Sequence, residues 1–109
     1  MDILEIQITF PDEASANTIA NHLLSKHLIA CANLSPVKSL YWWNEAIQEE
    51  KEYLGLFKTL PVFIEHILTE VKNTHPYGIP AILYWKVMTT PEYYQWVVEV
   101  TRQEYLNKD

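Results

Sequence analysis

Apolar and polar residues alternate strictly over residues 3–10, with Leu4, Ile6, Ile8 and Phe10 on one side and Glu5, Gln7 and Thr9 on the other. A period of two predicts a strand with one buried face. Pro11-Asp12-Glu13 ends it, and Asp12 is placed to cap a helix. From Ala16 the period lengthens. Ile19, Ala20, Leu23, Leu24 and His27 recur at helical spacing, and the helix is expected to reach Lys26 or His27, where basic residues suit the negative end. Residues 28–34 form a short apolar run read as a second strand, which Ser35-Pro36 is expected to bend or interrupt.

Residues 40–59 carry the strongest pattern. Aromatic and aliphatic arms flank an acidic middle, Glu45 to Glu52, and the pattern predicts a long hairpin with strands over 37–43 and 48–59. Both arms are apolar on both faces: Tyr41 and Trp43 alternate with Leu40 and Trp42, and Tyr53 and Phe57 with Leu54 and Leu56. A strand apolar on both faces has to be covered twice.

Leu60-Pro61 opens a second helix with stripe Ile64, Ile67, Leu68 and Val71. Residues 73–80, rich in proline, form the one real loop, followed by a strand over 81–88. Thr90-Pro91-Glu92 starts a last helix bearing Tyr93, Trp96, Val97 and Val100, with Tyr94, Val98 and Tyr105 beside them. The order is that of an α+β ferredoxin-like βαββαβ sandwich with an extra C-terminal helix, a four-stranded antiparallel sheet and a long hairpin between its second and third strands. Two helices cover one face of such a sheet. The extra helix covers part of the other, and a further copy of the chain is the simplest cover for the rest.

The length of 109 residues fits a single domain spanning 1–109. Aromatic residues make up 13% of the chain, enough to place some of them between subunits. The net charge of −6 argues against nucleic acid or an anionic membrane as the main partner. Cys31 is the only cysteine, so no disulfide forms within the chain. The opening residues lack a basic region followed by an apolar run, and no stretch nears the roughly 20 residues of a membrane span; the expected location is cytoplasmic.

Candidate chemistry is sparse. His75, in a proline-restrained loop, suits Cu(II) or Zn(II), but metal sites gather three or four ligands, and the loop reads more readily as structure beside a subunit boundary. Cys31 offers a soft thiolate for Cu(I), or a small buried hydrophobe. His22, and His66 with Glu70 one turn on, are expected to be solvated; His27 caps a helix. Glu45, Glu49, Glu50 and Glu52 are hard oxygen ligands in kind, though a charge run at a hairpin end is ordinarily solvated. Tyr41, Trp42, Trp43, Tyr53, Phe57, Tyr77 and Trp96 are assigned to an inter-subunit cleft or interface. There is no phosphate loop, paired-ligand helix or nucleophile–base pair, so no catalysis is expected.

An ordered set of segments resembles the CutA divalent-cation tolerance family: residues 11–14 (PDEA), 29–34 (IACANL), 39–43 (SLYWW), Lys58-Thr59, 75–80 (HPYGIP) and 93–96 (YYQW). The resemblance covers nearly the whole chain. It implies the ferredoxin-like fold, a homotrimer joined through the hairpins, and a role in tolerance of divalent metals, with Cu2+ or another divalent cation as ligand. The trimer it implies resembles the PII signal proteins. The chain departs from the family pattern in three places. Asn44-Glu45 replaces Glu-Gly after the tryptophan, Ala81 stands where a carboxylate follows the loop, and Ile8 aligns near a cysteine proposed as a ligand. Only His75 of that copper constellation remains. Three readings follow: a trimeric metal-tolerance protein acting by binding or signalling, a PII-like small-molecule sensor with its ligand in the subunit clefts, and a ligand-free assembly scaffold.

Overall fold

The computed structural model describes residues 1–101; Tyr105 lies outside them. Four strands and three helices follow in the expected order: β1 (Asp2–Phe10), α1 (Glu13–Ser25), β2 (Cys31–Trp43), β3 (Ala46–Thr59), α2 (Ile64–Thr74), β4 (Ile82–Met88) and α3 (Pro91–Val100). A 3-10 turn (Pro61–Phe63) leads into α2. The sheet is antiparallel with order β2-β3-β1-β4.

The helix ends are set as the residues demand. Asp12 accepts the Ser15 backbone N–H at 2.8 Å, and the Thr90 side chain accepts that of Tyr93 at 3.3 Å. At the end of α1, His27 N–H bonds Leu24 O and Leu28 N–H bonds Leu23 O, each at 3.0 Å. This is the Schellman pattern, and it holds His27 at φ 58. The same pattern corrects the expected second strand. Leu28 and Ile29 are buried but belong to the helix cap, and β2 begins at Cys31. Nor does Ser35-Pro36 interrupt it: β2 is an edge strand, where a proline is tolerated, and its register with β3 runs unbroken from Cys31↔Lys58 to Trp43↔Ala46.

The register decides the faces. Leu4↔Thr59, Ile6↔Phe57, Ile8↔Gly55 and Phe10↔Tyr53 lie beneath α1 and α2. Ile6, Ile8, Phe10 and Phe57 are fully buried there with Leu23, Phe63, Ile67 and Val71. Each such side chain contributes roughly 1.5–3 kcal/mol. The sequence pattern assigns Phe57 to a subunit interface; the structure places it instead in the chain's own core, edge-on to Phe10 at 6.2 Å and 76°. Gly55 is small because Phe57 and Phe10 occupy the space a Cβ would need.

The opposite face carries Glu5, Gln7, Leu54, Leu56, Leu83 and Trp85. The extra helix covers one end of it, where Val97 and Ile3 are buried and Tyr93 lies against Cys31. Leu54 and Leu56 stay half-buried, and Leu83 and Trp85 are exposed.

Candidate functional site

β1 stops at Phe10, but β2 and β3 continue without it. Residues 37–43 pair with 46–52 as a two-stranded ribbon that projects past the sheet. A two-residue turn, Asn44-Glu45, closes it with φ 52 and 63, both in the left-handed region that a type I′ hairpin turn requires. Asn tolerates that region; Glu does so at a cost.

The ribbon has two unlike faces. Leu40, Trp42 and Ile47 point to one side and are 63%, 71% and 63% exposed. Tyr41, Trp43, Gln48, Glu50 and Glu52 point to the other and form one wall of an open cleft of ≈ 910 Å³. Thr9 and the loop of Pro76, Tyr77, Gly78 and Ile79 form the opposite wall, with Ala81 at its edge.

His75 positions that loop. α2 ends at Thr74, and the His75 N–H bonds Val71 O at 2.8 Å. Its ring stacks on Phe10 at 5.0 Å and 19°. Nε2 lies 2.8 Å from the Thr9 carbonyl, to which it donates, and Nδ1 accepts the Tyr77 N–H at 3.0 Å. These partners select the neutral Nε2–H tautomer. Burial holds the His75 pKa below its ordinary value, against the opposing pull of the Thr9 carbonyl and Glu52. The Tyr77 hydroxyl donates to Glu52 Oε2 at 2.5 Å. Burial, then the Glu52 carboxylate, pushes the Tyr77 pKa far up, and Glu50 pushes up that of Tyr41.

Over residues 4–100 the chain matches the family described as CutA1 divalent ion tolerance protein. The chain belongs to the CutA1 family. It is 38% identical over 99 residues to the divalent-cation tolerance protein CutA of Pyrococcus horikoshii, covering 90% of this chain and 97% of that one. The crystal structure of CutA1 from the same organism superposes with TM-score 0.89 at 36% identity, over 92% of this chain and 99% of the other. The periplasmic divalent cation tolerance protein CutA from Archaeoglobus fulgidus superposes with TM-score 0.88 at 33% identity, over 94% and 100%.

In this CutA1-family chain the residues do not form a ready ion site. Both His75 nitrogens are engaged, and no group of three His, Cys, Asp or Glu side chains is placed to hold an ion among the described residues. Cys31 is far from His75 in role as well as sequence: its thiol faces Asn33 Oδ1 at 3.8 Å on the sheet face beneath α3. Ile8 is fully buried under α1 and α2. Of the candidate interface residues, Tyr41, Trp43 and Tyr77 share the cleft, Trp42 faces away on the ribbon, Tyr53 lines the groove on that second side, and Trp96 lies exposed on α3.

Two contacts escape sequence reasoning. His22 and Lys26 both reach Glu70, at 3.0 and 2.5 Å, and tie α1 to α2; Lys26, then His22, lowers the Glu70 pKa. His27 does cap its helix, and its Nδ1 also lies 3.0 Å from the Val100 carbonyl. Separations of 44 to 73 residues left no local signal for either.

Proposed function

We propose that this protein is a cytoplasmic homotrimer that serves divalent-cation tolerance by binding or signalling rather than by catalysis. The observation that carries the assembly is the ribbon with its apolar residues in solvent. Leu40, Trp42 and Ile47 on one face, together with Leu83 and Trp85 on the sheet, form more exposed apolar surface than a small monomer ordinarily keeps. An unprotected ribbon edge also invites strand pairing. Copies packed through ribbon and sheet face cover both. Light scattering on the purified protein is expected to give about three times the 12.8 kDa chain mass. A mass of one chain at micromolar concentration overturns the assembly.

The metal role is supported by the family. Cu2+ or another divalent cation has one route to His75: Nδ1 must first release the Tyr77 N–H. Calorimetric titration with Cu(II) and Zn(II) tests this. Saturable uptake that weakens in His75→Ala supports it; uptake unchanged by the substitution removes His75 from the metal role.

A second reading, a small-molecule sensor of the PII kind, is favoured by the cleft itself. Its walls are the residues around Trp43 and the His75 loop. A thermal-shift screen separates it from the metal role, since a hit that survives chelator belongs to the cleft.

A further inference from the structure

The ribbon leaves the sheet at a definite point. Phe10↔Tyr53 is the last pair that β1 makes with β3, so Glu52 is the first ribbon residue without a β1 neighbour. Beyond it, residues 46–52 pair with 37–43 alone. An isolated two-stranded ribbon is only marginally stable in water. The ties of Tyr41 to Glu50, and of Lys38 to Glu49 at 3.7 Å, run within the ribbon and do not reach the body. Among the described residues one polar side-chain tie does reach it: the Tyr77 hydroxyl donates to Glu52 Oε2 at 2.5 Å.

That tie ends a continuous path. The Thr9 carbonyl accepts from His75 Nε2, and the His75 ring stacks on Phe10. His75 Nδ1 accepts the Tyr77 N–H, and the two rings lie 5.0 Å apart. The last two residues of β1 are thus joined, through His75 and Tyr77, to the base of the ribbon. Glu52 is 9% exposed and His75 8%, so water competes weakly for these bonds, and a hydrogen bond to a carboxylate is among the stronger kinds.

The path runs along the cleft, whereas Leu40, Trp42 and Ile47 on the ribbon's other face belong to the surface assigned above to subunit packing. We propose that the Tyr77–Glu52 bond is a brace that fixes the angle of the ribbon to the body, so that the cleft and the assembly surface are coupled through one element. A ligand that draws Tyr77 away from Glu52 then loosens the assembly, and by reciprocity the assembly disfavours that ligand. This rests on the assembly reading above and names a control on it.

The test compares Tyr77→Phe, Glu52→Leu, their double variant and Glu52→Gln with the unmodified protein, by amide hydrogen exchange and by light scattering on dilution. Phenylalanine keeps a ring beside His75 and removes only the hydroxyl. In Tyr77→Phe, exchange at residues 37–43 and 46–52 is expected to quicken about tenfold, with residues 2–10 and 53–59 unchanged. Dissociation should set in at a several-fold higher concentration. Glutamine still offers a carbonyl to the Tyr77 hydroxyl and should stay near the unmodified protein. The double variant should be no worse than the worse single variant, because both substitutions remove one bond. Unchanged ribbon exchange, additive losses in the double variant, or Glu52→Gln as damaging as Glu52→Leu overturns the brace. Equal loss of protection across β1 also overturns it, since the bond would then belong to the core. Faster ribbon exchange with unchanged dissociation overturns the coupling. Light scattering on the unmodified protein separates the failures: a trimer whose ribbon ignores the substitutions loses only the brace, whereas a monomer loses the assembly and the coupling with it.

Discussion

The two halves of β3 have opposite fates. Residues 53–59 are flanked by β1 and β2 and lie under two helices, with Phe57 and Thr59 wholly buried. Residues 46–51 belong to the same unbroken strand, pair with β2 alone, and are largely exposed. The acidic residues of 46–51 are part of the reason, and the rest lies outside β3. It arises because Pro11 and the Asp12 cap end β1 at Phe10, so the sheet narrows from four strands to two. Burial is therefore decided by where a neighbour stops as well as by composition, and the outer half of the strand is left with surface for a ligand or another chain.

The sharpest way to break this contrast is to truncate one aromatic from each half of the hairpin. Phe57→Ala should cost about 3–5 kcal/mol of stability by denaturant titration. Trp42→Ala should leave the far-ultraviolet circular dichroism of the chain unchanged and appear instead as dissociation on dilution, read by light scattering. Equal effects on chain folding would show that the ribbon is part of the core. Gly55→Ala comes next. Its Cβ would meet Phe57 Cε2 at 2.7 Å and Phe10 Cε2 at 3.1 Å, so a loss of about 1–3 kcal/mol is expected. A neutral result would mean that the two rings yield easily.

At the ribbon tip the sign reverses. Glu45 sits at φ 63, and Glu45→Gly should raise stability by about 0.5–1 kcal/mol, seen as a higher melting temperature. A loss there would show that the Glu45 side chain has a role the turn geometry does not reveal. The smallest expected effect is a pH slope from His75, whose folded pKa is depressed below 6.5, chiefly by burial. Between that lowered value and about 6.5 the unfolded chain binds more protons, so stability is full above the window and falls as pH drops through it. Melting curves across the window should flatten in His75→Gln; an unchanged slope assigns the pH dependence to other groups.

Much of this was legible along the chain. The period-two run of β1 and the helical stripes gave element order, and hence the sheet order that four antiparallel strands and two crossovers allow. The helix caps at Asp12 and Thr90 were legible because capping is local. Phe57 was misplaced for an equally physical reason: where both faces of a strand are apolar, composition carries no sign of which face meets the helices. His75 stood out as a candidate ligand because a histidine in a loop with two prolines looks unoccupied. Its partner, the Thr9 carbonyl, is 66 residues away and offers no side-chain signature.

By itself, then, the sequence determined the elements, their order, the family to which the chain belongs and the excess of apolar surface on the hairpin, since all of these follow from local spacing and ordered motifs. Only the tertiary structure decided that β3 is half core and half projection, that both nitrogens of His75 are occupied, and that Glu52, Glu50, Tyr41, Trp43 and Tyr77 face a common cleft. Those outcomes depend on strand register and on backbone carbonyls brought from distant segments, and neither is written in the order of side chains.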